Sequence, residues 1–222
     1  MYRNERLTKQ LLQHIDRAEK MTLESMQDGR AEHEPTITDR LIGNLESRLD
    51  GADFAGVSWR AKTLTSIGAF SQETRHGADF FGVLNLRLPG YQVQKGFLAQ
   101  AKRIEPGHSM ALAEYDRLRR QCVNMNNRSP VSYVFIYSQM SGIRVVSANA
   151  VLAAPMNNPL DLTSWSLKEF FKAHFECLIG DFRVSAATPE ELETLASDVR
   201  ARNGLMISGS TNEDKIPRNQ MR

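Results

Sequence analysis

Glu73-Thr-Arg-His-Gly-Ala-Asp79 leads into Phe80-Phe-Gly-Val-Leu-Asn-Leu-Arg-Leu88, a Pro89-Gly90 break follows, and Phe97-Leu-Ala-Gln-Ala-Lys102-Arg103 closes the stretch. An apolar run of strand length, a Pro-Gly punctuation and a second short run predict the two strands of a hairpin. Side chains alternate along a strand, so Gln100 and Lys102 share one face while Ala99 and Ala101 share the other. The residues from Phe80 to Ala99 suffice for a strand out, a turn and a strand back, which brings Asp79 level with Gln100 and Lys102. Three polar side chains then converge on one edge of the hairpin. An Asp carboxylate beside a carbonyl oxygen is a hard-oxygen site suited to Mg²⁺. A Lys next to it can orient or deprotonate a bound water, or stabilise charge on a phosphate. Taken singly, Asp79 after Gly77 reads better as a turn aspartate, and Lys102 as a solvated strand-end lysine. The combination at hairpin spacing is what points to a site.

Upstream, Leu7, Leu11, Ile15, Ala18, Thr22 and Met26 fall near helical spacing and predict an amphipathic helix over 5–29, closed at Gly29. Ile37, Leu41, Ile42, Leu45 and Leu49 predict a second helix over 36–49, with Thr36-Ile-Thr-Asp39 as a capping-box-like start and Pro35 in the first turn. Both stripes read as core packing. Residues 57–75 are rich in small and β-branched side chains and predict extended structure, with a strand near 65–73. Gly51-Ala-Asp-Phe-Ala-Gly-Val57 echoes Gly77-Ala-Asp-Phe-Phe-Gly-Val83, which makes Asp53 a rival to Asp79. Two copies do not make a solenoid, and only the second feeds the hairpin that ends in Gln100-Ala-Lys102.

Downstream, Met110, Ala113, Leu118 and Val123 predict a helix over 109–125 that carries Arg117, Arg119 and Arg120. Arg117 and Arg120 share a face, while Arg119 points elsewhere. Val131–Tyr137 is the most strand-like run, and Ile143–Leu152 fits a strand or a helix. A loop is expected over 155–163 and an aromatic-rich helix over 164–179, serving core or dimer packing. A further helix runs from Thr188-Pro-Glu-Glu191 to about Arg202, and residues 206–222 read as a flexible tail. The expectation is one domain over 1–205, divided into an N-terminal helix to residue 30, a core over 31–152 and C-terminal helices over 155–205.

The totals agree with that organisation. The 222 residues, 41% apolar and 24% charged, suit one soluble globular domain with elaborations. No apolar run approaches the ~18 residues that a membrane span needs. The first residues lead into a charged amphipathic segment rather than a signal-peptide core, so the cytoplasm is the expected location. Cys122 and Cys177 belong to no CxxC pattern, and the histidines show no metal-ligand spacing. A net charge of +2 means that any surface for a polyanion is a local patch. Walker loops, dinucleotide fingerprints and G-x-S-x-G elbows are absent from the sequence.

Asp79 with Gln100-Ala-Lys102, set in the order helix, strand, strand, strand, helix, strand, resembles the PD-(D/E)xK restriction-endonuclease-like nucleases, in the variant with Gln as the second acid. The resemblance spans roughly residues 30 to 150. It implies an α/β fold with an α-β-β-β-α-β core, a central mixed sheet flanked by helices, here extended by N- and C-terminal helices. It further implies a Mg²⁺-dependent endonuclease, with Mn²⁺ as a substitute, hydrolysing DNA that is expected to be double-stranded. Asp79, the Gln100 side-chain oxygen and a backbone carbonyl near Ala101 would hold the metal, and Lys102 would position the water. In many members a Glu on the helix before the hairpin joins the site, which makes Glu34 the candidate, with Glu46 and Glu73 as alternatives. A solvated helix-terminal carboxylate is the competing reading of Glu34. Lys95, Arg103, Arg117 and Arg120 are the candidates for gripping phosphates. Analogy with anti-phage and restriction effectors adds an expected helicase, ATPase or sensor partner, or self-association, and no membrane. Two rivals stand beside this reading: the same fold used as a non-cutting interaction subunit, and an unrelated α/β binding protein.

Overall fold

A computed structural model of the chain describes residues 4–65, 78–154 and 158–211. Eight strands join in one mixed sheet, in the spatial order β1 (Asp53–Phe54), β2 (Val57–Thr65), β8 (Asn203–Thr211), β3 (Phe80–Leu88), β4 (Tyr91–Arg103), β5 (Ser132–Ser138), β6 (Gly142–Ser147), β7 (Ser164–Ser166). At its centre is the expected hairpin, β3 (Phe80–Leu88) and β4 (Tyr91–Arg103), paired antiparallel from Phe80↔Ala99 to Leu88↔Tyr91. Gly90 takes the turn at φ 69°, a left-handed conformation that glycine adopts without a Cβ penalty. The helix α3 (Leu112–Arg128) then crosses over to β5 (Ser132–Ser138), which lies parallel to β4. A parallel neighbour requires such a crossover. β6 (Gly142–Ser147) and β7 (Ser164–Ser166) continue the sheet antiparallel on that side.

Helices cover both faces. On one, α1 (Glu5–Gln27), α2 (Glu34–Leu49) and α5 (Leu167–Phe175) pack Leu11, Ile15, Ile37, Leu41 and Phe170 onto Phe97, Phe135 and Tyr137. On the other, α3, α4 (Ala148–Ala153) and α6 (Pro189–Val199) pack Leu118, Cys122, Val151 and Leu192 onto Val83, Leu98, Val134 and Ile136. Phe97 and Phe135 face one layer and Leu98 and Val134 the other, as the period-two alternation of strands requires. Central strands buried on both faces read as continuous apolar runs, which is why Val131–Tyr137 was so legible. No helix among the described residues is long and apolar enough to cross a membrane.

The coarse order α2-β2-β3-β4-α3-β5 matches expectation, and several boundaries differ. Residues 206–211 are not tail: β8 (Asn203–Thr211) lies between β2 (Val57–Thr65), antiparallel, and β3, parallel. Its apolar part is short, but ladders on both sides supply every backbone partner that it needs. β2 ends at Thr65, and the rest of the strand expected near 65–73 lies outside the described residues. Residues 212–222 of the expected tail and 155–157 of the expected loop also lie outside the described residues. Residues 164–179 are not one helix, because Ser164–Ser166 pairs with β6 before Ser166 caps α5 through a reciprocal capping box with Glu169. The ambiguous Ile143–Leu152 is both, β6 followed by α4. Helix α2 starts at Glu34 rather than Thr36, with His33 as its N-cap and Pro35 in the first turn, where no backbone N–H is needed.

Candidate active site

The hairpin register sets the geometry. Asp79 lies one step before the Phe80↔Ala99 pair and therefore opposite Gln100. Its own N–H donates to the Ala99 carbonyl at 2.8 Å, and its carbonyl accepts the N–H of Asn203, the first residue of β8, at 3.2 Å. The backbone of Asp79 is thus held from both sides, once by the foreseen hairpin and once by the unforeseen strand.

The side chains converge as the alternation predicts. Asp79 Oδ2 accepts the Ala101 N–H at 2.8 Å and a hydrogen bond from Gln100 Nε2. Gln100 is 2% exposed, and its Oε1 has no hydrogen-bond partner. Lys102, 4% exposed, donates through Nζ to Glu34 Oε2 at 3.0 Å, while Glu34 Oε1 accepts the Arg103 N–H at 3.0 Å. Burial pushes the Asp79 carboxyl up to about 6. The Ala101 N–H, the Lys102 ammonium and the Gln100 amide pull it down, the Glu34 carboxylate pushes it up, and desolvation outweighs them. Two half-buried acids, a buried lysine and an unpartnered buried acceptor in one hollow are an unusual set, since buried polar groups are normally paired.

That hollow, of about 460 Å³, is lined by Glu34, Asp79, Gln100 and Lys102 on one side and by Arg117, Arg120, Gln121 and Asn124 of α3 on the other. The α3 residues stand at i, i+3, i+4 and i+7, one helix face. Arg117 and Arg120 are there as expected. Gln121 and Asn124 were missed, although the same spacing rule would have found them; Gln121 Oε1 is buried without a partner. Arg119 points elsewhere, as expected, donating to the carbonyls of Val151 at 3.2 Å and Ala154 at 3.1 Å.

Other expected residues are not brought in. Lys95 is corrected: it is 2% exposed, it lies on the opposite face of β4 from Gln100 and Lys102, and its ammonium donates to the Ile179 carbonyl, so it offers no surface charge to a phosphate. Arg103 is exposed at the strand end, but its guanidinium donates to the Glu32 carbonyl and it does not line the hollow. Glu46 accepts both the N–H and the hydroxyl of Thr63, at 2.9 and 2.7 Å, and is occupied on β2. Asp53 accepts from Ser58 at 2.9 Å on the edge strand β1 (Asp53–Phe54). His108 is exposed and bonds only near its own loop, to Pro106. Glu73 and His76 lie outside the described residues.

The donor set suits a hard cation only if the amide counts. Among the described residues, no group of three or more His, Cys, Asp or Glu is placed to hold a metal. Asp79 and Glu34 are two carboxylates, and the orphaned Gln100 Oε1 is the third oxygen. An all-oxygen set with few protein ligands fits Mg²⁺, which retains waters. Comparison of the chain with protein-family models, with curated proteins and with solved structures finds no match.

Proposed function

We propose that the chain is a Mg²⁺-dependent nuclease of the PD-(D/E)xK type that hydrolyses phosphodiester bonds in DNA. The observation that carries this reading is the single hollow in which Asp79, the unpartnered Gln100 oxygen and Lys102 face the arginines of α3. Asp79 and Gln100 would hold the metal, with Glu34 as the remaining carboxylate, and a metal bound there supplies an activated water and offsets charge on the phosphate. Lys102 is anchored by Glu34, so its ammonium is fixed rather than swinging, and it can orient the attacking water or hold its proton. Arg117 and Arg120, which have no ion pair among the described residues, bind and orient the substrate's phosphates. Gln100 in place of an acid leaves the set one negative charge short, so metal affinity is lower than it would be with a carboxylate at that position.

An effector role in bacterial anti-phage defence or restriction, in the cytoplasm and under the control of a helicase, ATPase or sensor partner or of self-association, extends this proposal by analogy. One observation favours a second reading, a non-cutting subunit of the same fold: both oxygens of Glu34 and one of Asp79 are already satisfied within the protein. Plasmid and linear DNA cleavage with Mg²⁺ or Mn²⁺ separates the two. Wild-type protein is expected to cut only with metal, and Lys102→Ala to lose about a hundredfold or more in rate, the scale of a missing acid–base group. Metal-independent cutting, or undiminished cutting by Lys102→Ala, would overturn the assignment; a silent wild type that still binds DNA would favour the non-cutting subunit.

A further inference from the structure

Helix α3 carries Arg117, Arg119, Arg120 and Arg128 against Glu114 and Asp116, both in its first two turns, in a chain whose total charge is nearly balanced. The catalytic hollow described above does not end at this helix. Arg120 and Asn124 line it on one flank and also line a second hollow, of about 420 Å³, on the other flank. The second hollow is completed by Asp116, Arg119, Val123 and Leu152. Val123 is 44% exposed on a helix face otherwise polar, and Leu152 of α4 is half-buried against the core. The Arg119 guanidinium is fixed at the hollow by its two bonds to the carbonyls of Val151 and Ala154.

We infer that this second hollow is a nucleobase subsite: the nucleotide next to the scissile phosphate places its phosphate on Arg120 and its base against Val123, Leu152 and the Arg119 guanidinium. This inference rests on the nuclease reading and names its substrate class. Three features of the hollow fit a base and not a second phosphate. Its wall carries the Asp116 carboxylate beside the apolar Val123 and Leu152, a setting that repels and poorly solvates a second anion. It presents a guanidinium whose donors are partly spent on carbonyls, leaving a flat cation suited to stacking on a base. It has room, since a cavity of about 150 Å³ already accepts a benzene ring. The continuity through Arg120 and Asn124 ties it to the reacting phosphate on the same strand. A base seated there is out of the duplex stack, so the favoured substrate is a single strand, a flap or a locally opened end rather than the intact duplex expected from resemblance.

Binding is measured by fluorescence anisotropy with metal withheld, using three labelled probes of equal length, about 12 nucleotides to cover the site: oligo-dT, an abasic strand that keeps every phosphate, and a blunt duplex. Wild-type protein and Val123→Asn, an exposed and neutral change, are compared across a salt series. The expected result is that oligo-dT binds about tenfold tighter than the abasic strand, the scale of one stacked base. Val123→Asn is expected to remove most of that gap while leaving the salt slope and duplex binding unchanged, because no phosphate contact is touched. Equal binding of the abasic strand and oligo-dT, or a gap that Val123→Asn does not reduce, would overturn the subsite and leave the nuclease reading intact. Failure of all three probes to bind would overturn the nucleic-acid reading itself, and the subsite with it.

Discussion

Asp79 carries conflicting demands. Its carboxyl is pushed up to about 6 mainly by burial, so the ionised form that a metal requires is the form that the metal-free fold penalises. A carboxyl whose folded value lies above its unfolded value contributes stability that is complete below about pH 4 and lost as pH rises through about 6. Asp79→Asn removes the charge but keeps an acceptor for the Ala101 N–H. The metal-free variant is therefore expected to be more stable than wild type by about 1–3 kcal/mol at pH 8 and nearly equal at pH 4. Urea unfolding at both pH values measures this, and a variant less stable at pH 8 would mean that the carboxylate is not strained by burial. The same substitution should abolish cleavage and any Mg²⁺-dependent rise in melting temperature. Stability gained with function lost is the pattern expected of a site residue. At this scale the sequence was informative: Asp79, Gln100 and Lys102 meet because strand alternation and a Pro-Gly turn are local rules, whereas Glu34, expected only from the resemblance, reaches Lys102 from 68 residues away. Lys95 was misassigned because a lysine's charge says nothing of which strand face carries it, or of what covers that face.

Two helices show how an element turns packing into function. α3 buries Tyr115, Leu118, Cys122 and Met125 against the sheet and by doing so commits 117, 120, 121 and 124 to the hollow beside Asp79 and Lys102. α5 works on the opposite face. Its His174 is 2% exposed, with its ring 5.3 Å from Phe97, and burial, reinforced by the nearby Lys95 ammonium, pushes it down to about 3. A base whose folded value is depressed contributes stability that is present above its unfolded value, 6.5, and lost as pH falls towards 3. Between those limits the loss is about 1.4 kcal/mol per pH unit. His174→Leu, of similar volume and without a titrating group, should flatten that acid limb; unfolding midpoints at pH 7 and pH 4.5 are the check, and an unchanged difference between them would remove His174 as the cause. The helical faces themselves were readable from spacing. The split of 164–179 into β7 and α5 was not, since aromatic residues suit either state and pairing with β6 decided it.

For the whole molecule, β8 is the decisive piece. It closes the gap between β2 and β3, and Asn203 at its start holds the Asp79 carbonyl. Gly204 and Gly209 leave room for Phe81 on one face and for Leu86 and Trp59 on the other, where an added Cβ would come within 2.5 and 3.0 Å. A chain ended after Arg202 should therefore lose its cooperative urea transition and its metal response together, because β2 and β3 lose their shared ladder. A native-like transition in that truncated chain would show that the sheet stands without β8. The sequence by itself determined the hairpin, its register, the amphipathic helices and the polar set at the strand end. Each of these follows from neighbours a few residues apart, through side-chain alternation, helical period and turn chemistry. Only the tertiary structure decided that a polar, glycine-bearing C-terminal segment becomes a central strand, that Lys95 is buried, and that the start of α2 brings Glu34 to Lys102. Those outcomes depend on contacts between segments distant in the chain, where backbone ladders and layer packing override local composition.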